Sequence, residues 1–243
     1  DRTRAALAQA REAGITVVIA TARMPRSTEQ LARQAGIGAA AICSNGAVVW
    51  NLDSRQVERT HPLPAGATRR AVLSLREALP GVVFGIERGL TYACEPGYAA
   101  LRGPTRWPDD RQDADALTLC EDPVTKVSVR HPTYPLEDLT TLVADHFGDD
   151  GFVGHSGYGP AEVTARGVSK GAVLAQVCGA LGVRAEEVAA FGDMPNDAPM
   201  LAWAGWGYAM ANAHPSALAA THLRAASNEE DGVAEVIERI LAA

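Results

Sequence analysis

The chain has 243 residues, 47% of them hydrophobic, and a formal charge of -7. That length supports one large α/β domain or two smaller ones with an ample core. The acidic balance and the lack of any basic run exclude nucleic acid or an acidic membrane as the main partner and point to small solutes. Cys43, Cys94, Cys120 and Cys178 are far apart in sequence. Their spacing matches neither a disulfide framework nor a zinc site, so reduced thiols in the cytoplasm are expected. No apolar stretch approaches the roughly 18 residues that cross a bilayer.

In chain order, Arg2 to Ala13 has helical spacing and stops at Gly14. Ile15 to Ala20 is a β-branched apolar run, predicting a strand buried on both faces of a parallel sheet. It ends at Thr21-Ala22-Arg23. The Thr21 hydroxyl and the backbone there suit a phosphate oxygen, although a plain turn cap is equally compatible. A helix is predicted from Ser27 to Ala35 and a strand from Ala39 to Cys43. Asn45-Gly46 between apolar runs is a hairpin signal, and that accounts for most of Asn45.

From about residue 55 the strands begin to alternate and prolines accumulate, so a second domain is expected over 55–161, between core segments 1–54 and 162–243. Its predicted elements are a helix from Thr68 to Leu79, strands at Val82–Ile86, Leu90–Ala93 and Lys126–Arg130, and a helix from Leu136 to Phe147. They describe a small α+β module with one wet face. Arg88, Tyr92, Tyr98, Arg102, Trp107 and His155 are polar or aromatic groups it could turn toward a ligand. Asp113 and Asp115 read as solvated.

Only Lys126 and Lys170 of the 22 basic residues are lysines. Ser169 is the expected cap of a helix that runs to Leu181, which puts Lys170 in the first turn. A cation there opposes the helix dipole, so a carboxylate or phosphate partner is expected unless Lys170 is simply solvated. Val188 to Phe191 is a short apolar strand, expected to be buried, that stops at Gly192-Asp193-Met194-Pro195-Asn196-Asp197. Such oxygen-rich side chains at a strand end suit a hard cation such as Mg2+, and the same residues also make ordinary turns. A short helix at Pro199–Ala204, a strand at Gly207–Met210, another short helix at Pro215–Ala220 and a last helix opened by Asn228-Glu229-Glu230-Asp231 complete the chain. The acids of that opening are placed for N-capping.

Thr21-Ala22-Arg23, Ser44-Asn45-Gly46-Ala47, Gly167-Val168-Ser169-Lys170-Gly171 and Gly192-Asp193-Met194-Pro195-Asn196-Asp197 together resemble the motifs of the haloacid dehalogenase-like hydrolases. Their order and spacing are those of its Cof-type phosphatases, whose cap is inserted after the second motif. The resemblance implies a doubly wound, Rossmann-like parallel-sheet core with an α+β cap. It further implies a Mg2+-dependent phosphatase of small phosphorylated metabolites, sugar phosphates above all, acting through an aspartyl-phosphate. Under it, Thr21, Lys170 and Asp193 are catalytic and Thr21, Ala22, Asn45, Lys170 and Asn196 hold the phosphate. Asp193, Asn196 and Asp197 form the metal site, with Asp193 ligating the metal and Asn196 and Asp197 orienting the phosphate, the metal waters or Lys170.

The family's first motif, Asp-x-Asp-Gly-Thr, has no match here. About 10 to 25 residues carrying a further strand that ends in Asp-x-Asp are therefore expected before Asp1. The alternative is a phospholigand-binding or regulatory protein on the same fold without the nucleophile.

Overall fold

The computed structural model describes residues 2–101, 112–157 and 159–242. Arg102 and Trp107 lie outside them. The chain divides into two compact units, Asp1–Arg59 with Ser169–Ala243, and Thr60–Val168. These boundaries fall a few residues beyond the expected 54/55 and 161/162. The reasons are local. A strand at Gln56–Thr60 extends the first sheet, and a strand at Ala161–Ala165 belongs to the sheet of the second unit.

The first unit opens with α1 (Arg2–Glu12), β1 (Ile19–Ala20), α2 (Pro25–Ala35), β2 (Ala40–Cys43), β3 (Val48–Asn51) and β4 (Gln56–Thr60). Pro25 starts α2 with its ring where no N–H is needed, and Gly36, at φ 65°, closes it by donating back to Ala32 and Arg33. The strands lie in the order β1-β2-β3-β4, with β1 parallel and β3 antiparallel to β2. The Asn45-Gly46 hairpin expectation is met by this β2–β3 pair. The strand expected from Ile15 to Ala20 shrinks to Ile19–Ala20, and Ile15 is 41% exposed, not buried. Among the described residues β1 pairs along one edge only, with β2, so most of the run has no ladder to hold it extended.

The second unit contains α3 (Ala67–Ala78), β5 (Val83–Arg88), β6 (Thr91–Cys94), α4 (Pro96–Leu101), β7 (Gln112–Asp113), α5 (Ala116–Leu119), β8 (Lys126–Arg130), α6 (Leu136–Phe147), β9 (Gly151–Gly154) and β10 (Ala161–Ala165). Its sheet runs β7-β6-β5-β8-β10-β9. Period-two alternation sends Phe84, Ile86, Val127, Val129 and Val163 into one core with Val72 and Leu75 of α3 and Leu139 and Val143 of α6. The opposite face is polar but not wet, because Glu87, Lys126, Ser128 and Glu162 are buried. Lys126 Nζ sits 2.8 Å from Glu87 Oε1 and 2.9 Å from Glu162 Oε1, which supplies the partners that buried charges require. Asp115 is exposed and caps α5, accepting from Leu117 N and pairing with Arg76.

The chain then adds α7 (Lys170–Leu181), β11 (Ala189–Gly192), α8 (Ala198–Trp203), β12 (Trp206–Met210), α9 (Pro215–Ala219), β13 (Leu223–Ala225) and α10 (Gly232–Leu241) to the first unit. β11, β12 and β13 form a parallel sheet in that order. β11 is only partly buried, since Ala189 is exposed and Phe191, half-buried, stacks on Tyr208 at 5.5 Å. α10 packs back on α1 through Ala6, Ala10, Ala234 and Ile237. The parallel strands joined by helices give the α/β, Rossmann-like core, and the inserted second unit is α+β.

Candidate active site

Three loops, after β1, β2 and β11, meet the start of a helix at the carboxyl ends of the first unit's strands. After β1, Thr21 donates its N–H to Ile42 O and Arg23 donates to Thr21 Oγ1. That hydroxyl therefore accepts one bond and keeps its own proton to give. Ala22 lies between them, half-buried. Asn45 N donates to Thr21 O and Ser44 N to Arg23 O, so the two loops are laced together. Ser44 and Asn45 both have positive φ, 50° and 59°, and Gly46 follows at 105°. Gly46 is needed for space as well, because a Cβ there would lie 2.8 Å from Ser169 O. The turn is thus pressed against the start of α7.

Ser169 caps α7 by accepting from Ala172 N, and Lys170 is the first helical residue. The anion expected for Lys170 is Asp197, whose Oδ1 lies 2.6 Å from Lys170 Nζ. The other oxygen of Asp197 accepts from Asp193 N and Met194 N, both at 3.0 Å. One buried carboxylate thereby shapes the loop and holds the lysine. Gly192 makes this possible, since a Cβ on it would lie 2.4 Å from Asp197 Cβ.

Asn196 Nδ2 donates to Asn45 Oδ1 at 3.0 Å, joining the loop after β11 to the turn after β2. Its own Oδ1 is buried and has no hydrogen-bond partner. Asp193 accepts from Asn228 Nδ2 at Oδ2, 3.1 Å away, and its backbone oxygen accepts from His214 N. Thr21, Ala22, Asn45, Lys170, Asp193, Asn196 and Asp197 are all brought to this region of the first unit. Asn228 was hidden in the sequence among helix-capping acids, and only the parallel order β11-β12-β13 places its loop beside Asp193.

The other polar candidates have structural partners. Arg88 pairs with Asp122. His155 is buried, with Nε2 3.2 Å from Glu137 Oε2 and Nδ1 accepting from Gly157 N. Tyr92 and Tyr98 are buried.

Among the described residues no group of three or more His, Cys, Asp or Glu side chains could hold a metal. That excludes a ligand cage of the zinc kind there, but not Mg2+, which takes one or two carboxylates and fills its shell with water and phosphate oxygens. The half-buried Asp193 carboxylate and, three residues on in the same loop, the unpartnered buried amide oxygen of Asn196 fit such an ion.

Residues 1–237 match the family described as haloacid dehalogenase-like hydrolase. This chain belongs to that family. A pyridoxal phosphate phosphatase of Escherichia coli, YbhA, is 28% identical over 96% of this chain and 88% of its own length. A phosphoglycolate phosphatase of Halorubrum lacusprofundi is 34% identical over 91% of this chain and 82% of its own. In fold, BT1666 of Bacteroides thetaiotaomicron, one of the phosphatases of the superfamily, superposes with a TM-score of 0.83 at 23% identity, covering 98% of this chain and 87% of that one. The haloacid dehalogenase-like chain is accordingly an enzyme, a phosphatase. Among its described residues no helix is long and apolar enough to cross a membrane.

Proposed function

We propose that this phosphatase is Mg2+-dependent, forms an aspartyl-phosphate and hydrolyses small phosphorylated metabolites, sugar phosphates being the expected class. The observation that carries the proposal is the pairing of Lys170 with Asp197 on the loop that also presents Asp193. A positive charge held by one loop residue and a carboxylate for the metal on the same loop are what phosphoryl transfer needs, since it depends on positioning and charge stabilisation.

The residues divide the work as follows. The Thr21 hydroxyl donates to a phosphoryl oxygen, and the backbone at Ala22 and the Asn45 side chain border the same place. Lys170 keeps further N–H bonds beyond the one to Asp197 and directs them at the phosphoryl group. Asp193 holds the metal and Asn196, through its buried Oδ1, the metal or its water. Asp197, which already accepts three donors, orients Lys170 and shapes the loop at the edge of the metal site. Bound here, Mg2+ supplies positive charge to the transferring phosphoryl oxygens.

The nucleophile and the general acid/base belong, in this reading, to an Asp-x-Asp at the end of a strand between β1 and β11. Its support is that each of these two strands pairs along one edge only among the described residues. Both lead directly into site residues. The substrates named for the relatives, pyridoxal phosphate and phosphoglycolate, are small phosphate esters and support the same class here. The wide spacing of the four cysteines along the chain supports a reducing cytoplasm.

The deciding experiment is hydrolysis of a generic aryl phosphate by the full-length protein. Turnover should require Mg2+ and cease with chelator, and Lys170→Met should lower it about 100-fold or more. Full turnover in excess chelator would remove the metal from the mechanism.

A further inference from the structure

Asp193 is held from its outer side by a relay that crosses three neighbouring strands. Asn212, in the turn after β12, accepts at Oδ1 from the backbone N–H of Asn228, 3.1 Å away. Asn228, just after β13, then donates its own amide to Asp193 Oδ2, also at 3.1 Å. From the turn after β12, His214 N donates to the Asp193 carbonyl at 2.8 Å. The segment carrying Asn228 is itself braced. Ser227 donates from N and Oγ to Glu230 Oε2, and a Cβ on Gly232 would lie 2.0 Å from Ala226 O. The amide of Asn228 is thus presented from a stiff turn.

A carboxylate can bind a cation through one oxygen or through both. Ca2+ accepts two-oxygen binding at 2.3–2.6 Å, whereas Mg2+ demands near-octahedral geometry at 2.0–2.1 Å. An N–H occupying Oδ2 competes with the two-oxygen mode and leaves Oδ1 for the ion. We propose that Asn228 is a positioning residue that fixes Asp193 as a one-oxygen ligand and so favours Mg2+ over Ca2+ at this site. The inference rests on the reading of Asp193 as the metal carboxylate.

Calorimetric titration of the full-length protein with MgCl2 and with CaCl2 tests it without any turnover. Asn228→Ala should weaken Mg2+ binding about tenfold, as loss of a ligand's hydrogen-bond partner usually does. Ca2+ binding should change little, so the preference between the ions narrows. Asn212→Ala, which loosens the Asn228 backbone and keeps its amide, should move the same ratio by less. It decides the matter if Asn228→Ala does not fold. Equal weakening of both ions, or no change in either, would overturn the role of Asn228 while leaving the metal at Asp193. Absence of Mg2+ binding in the unmodified protein would overturn both, and Asp193→Asn provides the control that locates the ion.

Discussion

Lys170 Nζ lies 2.6 Å from Asp197 Oδ1, and both side chains are only 7% exposed. A lysine at the first position of a helix, facing the positive end of the dipole, is stabilised there only because this carboxylate faces it. Removing one partner of a buried pair leaves an uncompensated charge. Asp197→Ala, which also strands the Asp193 and Met194 N–H groups, should cost about 3–5 kcal/mol in urea denaturation. Asp197→Asn retains acceptor capacity through its amide oxygen and should cost clearly less. Equal losses for the two would show that the charge, which both variants remove, carries the cost and that the bonds from Asp193 and Met194 N–H contribute little.

Gly171 follows Lys170, and a Cβ added to it would lie 2.4 Å from Pro199 O. Backbone cannot swing aside as a flexible side chain can, so Gly171→Ala should push α7 from α8. The expected loss is about 1–3 kcal/mol, although alanine favours helices. An unchanged or raised melting temperature would contradict the close packing of these helices.

Lys126 tests the second unit. Burial by itself lowers its pKa, but Glu162 and Glu87 together outweigh this and hold the ammonium above its ordinary value. A group raised in the folded state contributes fully below its unfolded pKa, and the contribution is lost as pH rises through the folded one. Lys126→Met should therefore destabilise by about 3–5 kcal/mol at neutral pH, because it leaves Glu87 and Glu162 buried without their cation. Adding Glu87→Gln and Glu162→Gln should recover part of the loss. No recovery would show that the lost packing of the lysine stem, and not the unpaired charge, carries the cost.

Cys120 is half-buried, and burial pushes its thiol up to about 11. The thiolate is the reactive form, so alkylation of Cys120 should be slow at neutral pH and rise steeply only toward that value. Mass spectrometry after timed iodoacetamide treatment reads this directly. Rapid labelling at pH 7 would mean an environment quite different from the one described.

Much of the fold could be read from local signals. Lys126–Arg130 and Leu136–Phe147 form as their alternation and helical spacing predict, and Ser169 caps α7 as its position before Lys170 predicts. The expectations that fail depend on distant neighbours. β9 and β10, Gly151–Gly154 and Ala161–Ala165, are too mixed in composition to read as strands alone, and they form because β8 and each other supply ladders. β1 shortens for the opposite reason. At the site, the loop of Asp193 and the lysine of α7 were visible as motifs, and Asp197 was among the expected partners of that lysine; that it takes Lys170 while Asn196 turns to Asn45 depends on the fold. Asn228 was legible only as the start of a helix, because its hydrogen bond spans 35 residues.

The chain passes from the second unit to the first between Val168 and Ser169, one residue before Lys170, and leaves the first unit after Arg59. Every proposed site residue, with Asn212 and Asn228, lies outside the 60–168 segment. The 60–168 segment joins the rest of the chain at only two points of the backbone, so replacing it by another module would alter none of the residues proposed to handle phosphate.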